Sequence, residues 1–174
     1  MTTASLISTE IVVLLIALVI VLIMRKKGDG SKLRTAELFL VGFLVAGGVM
    51  ELFGASGHYF SPEKVASSIG WVSNKPFQQE VGNANLVQAI LLLGVLKFRG
   101  QWILAAIVAS TVWILTDNVV HIISWHQTGD SNSGNIGFLF YAGFVTVIIN
   151  ISLYVWYRKL QKTSSESASA LPIS

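Results

Sequence analysis

The chain has 174 residues, of which 53% are apolar and 12% are charged, and it contains no cysteine. A soluble domain carries about 25% charged residues, so this composition, with a mean hydropathy of +0.66, predicts a membrane protein and excludes a water-soluble globule. The absence of cysteine excludes disulfides, thiol nucleophiles and cysteine-ligated metal centres.

Apolar stretches of membrane-spanning length recur along the chain. A helix that crosses the hydrocarbon core needs about 20 mostly apolar residues, and five stretches qualify: 8–24, 36–57, 77–96, 101–124 and 136–157. A basic cluster follows the first stretch instead of preceding it, which is the opposite of a secretory signal peptide, so we expect a retained helix. The pattern predicts an all-α, polytopic membrane bundle of five transmembrane helices. It forms a single domain over residues 1–162, followed by a disordered, Ser-rich cytoplasmic tail over residues 163–174.

A short interfacial helix is predicted between the second and third spans, in the segment SPEKVASSIG. Ser61 suits the N-cap, Pro62 the first helical position, and Glu63 the positive end of the helix dipole.

The basic residues predict the orientation of the chain, because cytoplasmic loops are enriched in Lys and Arg. With five crossings, ten of the twelve basic residues fall on one side of the membrane, and only Lys64 and Lys75 fall on the other. We therefore expect the N-terminus outside and the C-terminus inside, in the inner (cytoplasmic) membrane. Anionic lipids account for the net charge of +3, so nucleic acid is not an expected partner. The expected partners are the bilayer and further subunits of a homo-oligomer or larger membrane complex.

Polar residues within the predicted spans are concentrated in the outer half of the bilayer. An ionisable side chain there costs at least about 2.5–3.5 kcal/mol on insertion scales, so each one needs a reason. The inner half holds only Gln88 and Asn150 as notable polar positions. The outer half holds the predicted site residues Glu51, His58, Glu80, Asp117 and His121, with the supporting polar residues Gln78, Asn83, Asn85 and Asn118.

Helical spacing places these groups together. Glu51 and His58 are seven residues apart, and Asp117 and His121 are four apart, so each pair shares one face of its helix. No Lys or Arg lies near them within the spans, which leaves three carboxyl groups against two histidines. Either some carboxyl groups are protonated or a cation occupies the site. For Glu80, close to the start of its span, the alternative is a side chain that simply reaches the wet interface.

The stretch from His58 to Leu86 resembles the signature of a family of small prokaryotic membrane proteins of unknown function. The matching positions are His58, Ile69, Gly70, Trp71, Pro76, Phe77, Gln78, Glu80, Gly82, Ala84, Asn85 and Leu86, with Gly134, Asn135 and Gly137 before the last span. The resemblance implies the same topology and importance for His58, Glu80 and Asn85. The fourth span of that family is richer in small residues, so the roles of Asp117 and His121 rest on the argument from spacing and charge.

Several functions fit these features. The first is a protein that binds a metal ion or small cation at the outer-half site, since carboxylate, imidazole and amide groups suit divalent transition metals. The alternatives are a proton-coupled small transporter and an accessory or structural subunit. A b-type haem held by His58 and His121 is the least favoured. The chain carries no nucleophile elbow, phosphate loop or HExxH motif, which favours a non-enzymatic role.

Overall fold

The computed structural model describes residues 3–27 and 31–169, and the described part is all-helical, without β-strands. Each of the five predicted spans overlaps one long helix, and the predicted interfacial helix is also present. The all-α prediction is thereby confirmed. The helices are α1 (Thr3–Lys27), α2 (Lys32–Phe60), α3 (Pro62–Ile69), α4 (Lys75–Gly94), α5 (Gln101–Thr128) and α6 (Phe138–Ser169).

Among the described residues, three helices are long and apolar enough to cross a membrane: α2, α5, and α6 over Phe138–Ser167, with mean hydropathies of 2.0, 1.8 and 2.0. Large apolar side chains are exposed along their outer faces, for example Val108 and Ile148. Soluble monomers rarely expose contiguous apolar patches of this kind. A membrane location therefore fits the structure.

Local capping interactions define the ends of several helices. The Asn74 side chain accepts a hydrogen bond from the backbone N–H of Phe77 at 3.2 Å and so caps α4. Ser61 occupies the predicted N-cap position of α3, but its side chain makes no capping hydrogen bond. Ser61 instead donates its backbone N–H to the carbonyl of Gly57 at 2.9 Å, so it closes the last turn of α2.

Helix α6 continues to Ser169, so residues 163–169, which were expected in a disordered tail, are helical. Their hydroxyl groups donate back to carbonyls of the preceding turn: Thr163 to Lys159 at 3.2 Å and Ser167 to Thr163 at 3.0 Å. An ion pair between Lys162 and Glu166, at 3.9 Å and four residues apart, also fits a helix. The end of the predicted tail, residues 170–174, lies outside the described residues.

Helix α2 is the centre of the bundle and contacts α1, α3, α4 and α6. Glycines of α2 permit the close approach of α1 and α4. Gly42 faces Val21 of α1, and Gly48 faces Leu93 of α4, so neither position has room for a side chain. Apart from Val21, the large apolar residues described in α1 are mostly exposed, as expected of a peripheral helix.

The two ends of the bundle differ in character. The end where α2 begins holds the apolar core, and an ion pair there joins Arg99 to Glu37 at 3.2 Å. The opposite end, where α2 finishes and α4 begins, holds the polar residues described next. The apolar core at the first of these ends consists of Leu40, Val41, Leu44, Leu92, Val95, Ile103, Ala106 and Ile107.

Candidate functional site

A cavity of about 490 Å³, here called the polar cavity, lies between α2, α4 and α5, with part of α6 in its wall. Helix α2 contributes Glu51 and His58, and α5 contributes Asp117 and His121. Four of the five predicted site residues therefore line one space. The supporting residues Gln78, Asn85 and Asn118 line the same cavity.

Glu80 does not line the polar cavity: its side chain is exposed on the outside of α4. Residues two positions apart in an α-helix are rotated by about 200° around its axis. Glu80 therefore points away from the bundle, because Gln78 points into it. The expectation that Glu80 faces inward with Glu51 and Asp117 does not hold. Asn83 is also exposed and accepts a hydrogen bond from the hydroxyl of Tyr59.

The His58 ring is held by Gln78, which is 2% exposed. His58 Nδ1–H donates to Gln78 Oε1 at 2.7 Å. With Nδ1 used in this way, the other ring nitrogen, Nε2, is the atom available to a ligand.

The His121 ring is held by a chain of hydrogen bonds. Asn135 is fully buried and donates its Nδ2 to the backbone carbonyl of Asp130 at 2.7 Å. Its Oδ1 is thereby turned to the imidazole and accepts from His121 Nδ1–H at 2.7 Å. This orientation leaves His121 Nε2 facing Asp117 Oδ2 at 3.5 Å.

Trp71, from the loop between α3 and α4, covers one side of His121. The two rings stack with centroids 5.5 Å apart and planes inclined by 21°. The indole Nε1–H donates to Ser124 Oγ at 2.9 Å, which fastens the loop to the end of α5. Trp71 thus forms part of the wall of the polar cavity.

The charges lining the polar cavity are unbalanced. Glu51 of α2 and Asp117 of α5 both line it. Among the residues that the structure describes, neither Lys nor Arg lines the cavity. Among the side chains that the structure describes, none donates a hydrogen bond to Glu51 or forms an ion pair with it. Two carboxyl groups therefore face one space with only histidines as potential positive neighbours.

The aromatic part of this wall and Asn135 were not among the predicted site residues. Trp71 and Phe77 were named only as positions of the family signature, and Trp113 was not named, yet all three line the polar cavity. Asn135 lies in the Gly-Asn-x-Gly segment before the last span, and that segment is the sequence signal from which its importance could have been inferred.

The geometry bears on the metal hypothesis. Within the described part of the chain, no three His, Asp or Glu side chains are grouped so that they could hold a metal ion. Structural and catalytic transition-metal sites need at least three such protein ligands. The polar cavity presents carboxyl, imidazole and amide groups together with aromatic rings.

A second cavity of about 450 Å³, here called the apolar cavity, lies next to the polar one. Its wall is mainly apolar and includes Leu14, Phe43 and Ile149, with Ser110 and Asn150 among its few polar residues. The two cavities share four wall residues: Glu51, Ile114, Leu139 and Gly143.

The comparisons with known proteins give a family and nothing more specific. The sequence model of a family of unknown function (DUF6790) matches residues 6–163. No curated protein and no solved structure shows a significant match to the chain. The family match agrees with the membership in a family of unknown function that the sequence motif implied.

Proposed function

The chain belongs to DUF6790, a family of unknown function, and we propose that it is a membrane protein that binds a small organic cation in its polar cavity. The observation that carries the proposal is that Glu51 and Asp117 line one cavity without a Lys or Arg among the described lining residues. A carboxylate within a membrane span is costly unless an opposite charge compensates it, and among the described residues the partner of Asp117 is His121, at 3.5 Å. A bound cation supplies that compensation for both groups at once.

The proposal includes the membrane topology. The chain crosses the inner membrane five times, through α1, α2, α4, α5 and α6, with the N-terminal side of α1 outside and the end of α6 inside. The packing of α4 against α2 and the exposed apolar surface of α1 support these two helices as further spans. Helix α3 lies at the outer interface, and the polar cavity opens to the outer side.

The wall of the polar cavity favours an organic cation over a coordinated metal. Trp71, Phe77 and Trp113 present aromatic rings to the same space as the carboxyl groups. An ammonium group is attracted both by carboxylates and by the faces of aromatic rings, the latter contributing about 0.5–2 kcal/mol. A volume of about 490 Å³ lies in the range of small-molecule sites, about 300–1,000 Å³.

Isothermal titration of the detergent-purified protein with tetramethylammonium chloride tests this function, with sodium chloride at equal ionic strength as the reference. We expect saturable binding that weakens at least about tenfold, or about 1.4 kcal/mol, in Glu51→Gln and in Asp117→Asn. Glu80→Gln is the matched control, since it removes an exposed carboxylate outside the cavity. It should leave the affinity unchanged.

Two results would contradict the proposal. The first is equal tetramethylammonium affinity in wild type, Glu51→Gln and Asp117→Asn. The second is stoichiometric binding of Mn²⁺ or Zn²⁺ without binding of tetramethylammonium, which would favour a metal site assembled by a rearrangement of these residues.

A further inference from the structure

We infer that the ligand is an amphipathic cation, whose ammonium head occupies the polar cavity and whose apolar tail occupies the apolar cavity. This inference rests on the proposed cation binding and adds the chemical class of the ligand. The two cavities lie next to each other and share a common wall.

The common wall places the charge at the junction. Glu51 lines both cavities, whereas Asp117 lines only the polar one. A cationic head held beside Glu51 therefore lies next to the common wall of the two cavities. Gly143, also in the common wall, adds no side chain of its own, and the side chain of Ile114 packs against it.

The apolar cavity complements a hydrocarbon tail. Its wall consists largely of aliphatic and aromatic side chains, including Val13, Phe43 and Met50. Neither Lys nor Arg belongs to this wall within the described residues, and Glu51 is the only carboxyl group there. A second charged group of a ligand would find no partner in this cavity, whereas methylene groups would be removed from water.

The apolar cavity also borders the outer surface of the bundle. Two of its wall residues, Tyr141 and Val145 of α6, are 59% and 54% exposed. In a bilayer these residues face lipid, so a tail can enter sideways from the hydrocarbon region as the head enters the polar cavity. This arrangement suits a molecule that partitions to the membrane interface.

The test is a series of alkyltrimethylammonium chlorides, from tetramethylammonium to hexyltrimethylammonium, titrated into the full-length protein below micelle-forming concentrations. Burial of one methylene group corresponds to about fourfold in affinity, so we expect butyltrimethylammonium to bind about 60-fold more tightly than tetramethylammonium. Titrations of each compound into detergent without protein measure its partition into micelles, which is subtracted.

A cavity-filling variant locates the tail. Ala142 lines only the apolar cavity, so Ala142→Leu should reduce the gain per methylene and leave tetramethylammonium binding unchanged. Ala105→Leu is the matched control, because Ala105 is exposed on α5 and lines neither cavity. Thr146→Leu, on the same wall of the apolar cavity, replaces Ala142→Leu if that variant does not fold.

The outcomes separate this inference from the proposed function. Binding of tetramethylammonium without any gain from longer chains overturns the tail site and leaves the cation site intact. A gain that persists unchanged in Ala142→Leu and Thr146→Leu overturns the assignment of the tail to the apolar cavity. Absence of binding by every compound overturns the proposed function itself.

Discussion

The indole ring of Trp71 stacks on the imidazole ring of His121, with centroids 5.5 Å apart, although the two residues belong to different segments of the chain. Together with the hydrogen bond from Trp71 to Ser124, at 2.9 Å, this contact joins the loop after α3 to the end of α5. The loop therefore closes one side of the polar cavity and holds His121 beside Asp117.

Trp71 variants should separate the hydrogen bond from the ring contact. Trp71→Phe keeps a ring but loses the bond to Ser124, so it should lower the free energy of unfolding by about 1 kcal/mol. Trp71→Ala should cost about 2 kcal/mol, less than the ~3–5 kcal/mol of a fully buried ring, because Trp71 is only partly buried. Trp125→Ala, at a position 49% exposed on α5, is the control and should change stability by less than about 0.5 kcal/mol. Denaturant titration in detergent measures all three, and an equal cost for Trp71→Ala and Trp125→Ala would refute the role of the stack.

Glu51→Gln should stabilise the ligand-free protein. The substitution removes one of two neighbouring carboxylates and keeps the size of the side chain, so we expect a gain of about 1 kcal/mol and a Tm higher by about 2–4 °C. Tetramethylammonium should raise the Tm of wild type but not that of Glu51→Gln. A lower Tm for the ligand-free variant would show that the Glu51 carboxylate has a stabilising partner.

Asn135→Ala should be among the costly polar substitutions. It removes the acceptor for His121 Nδ1–H and the donor to the Asp130 carbonyl, both inside the fold. Leaving buried polar groups unpaired costs about 1–3 kcal/mol, which thermal unfolding would detect. Ser131→Ala, an exposed change in the same loop, serves as the control, with an expected effect below about 0.5 kcal/mol. Similar Tm values for the two variants would argue against this hydrogen-bond chain.

Two adjacent glycines of α2 should respond differently to the same substitution. A Cβ atom at Gly48 would lie 2.9 Å from Leu93 Cγ and 3.1 Å from Leu92 Cβ, whereas at Gly47 it would lie 3.6 Å from Leu92 Cδ1. Gly48→Ala should therefore separate α2 from α4 and cost about 1–3 kcal/mol. Gly47→Ala should be neutral or stabilising by up to about 1 kcal/mol, because alanine favours the helix. Equal melting temperatures would show that α2 and α4 do not pack this closely.

The proposed topology can be tested by labelling, since the chain has no cysteine of its own. Ser131 and Ser164 are both exposed, one in the loop before α6 and one near the end of α6. With an impermeant thiol reagent on intact cells, Ser131→Cys should be labelled, and Ser164→Cys only after the membrane is opened. Labelling of Ser164→Cys alone in intact cells would reverse the orientation.

The helices and the position of the polar residues along them could be predicted from the sequence. Apolar length identified every long helix to within a few residues at most ends, and Pro62 and Pro76 marked the helix starts after α2. The pairs Glu51 with His58 and Asp117 with His121 were predicted because spacing along one helix determines which side chains share a face. The helical part of the tail was missed because serine composition predicts disorder, whereas here the serines bond to their own helix.

The rotation of each helix about its axis was decided only by the tertiary structure. Glu80 lies at a depth similar to that of its neighbour Gln78, yet one is exposed and the other is 2% exposed. Depth follows from the distance along a span, but the direction of a side chain depends on which face packs against α2. That face is selected by contacts with residues distant in sequence, such as the bond from His58 to Gln78 at 2.7 Å.

Composition and spacing by themselves determined that the chain is helical and apolar, and that its ionisable groups gather toward one end. Only the packing of α2, α4, α5 and α6 decided that Glu51 and Asp117 line one cavity and that this cavity shares a wall with the apolar one. The hydrogen bond between His121 and Asn135 also depends on this packing. The spacing of residues and the hydropathy describe one helix at a time. A cavity and its charge balance exist only between helices, where side chains from several segments meet.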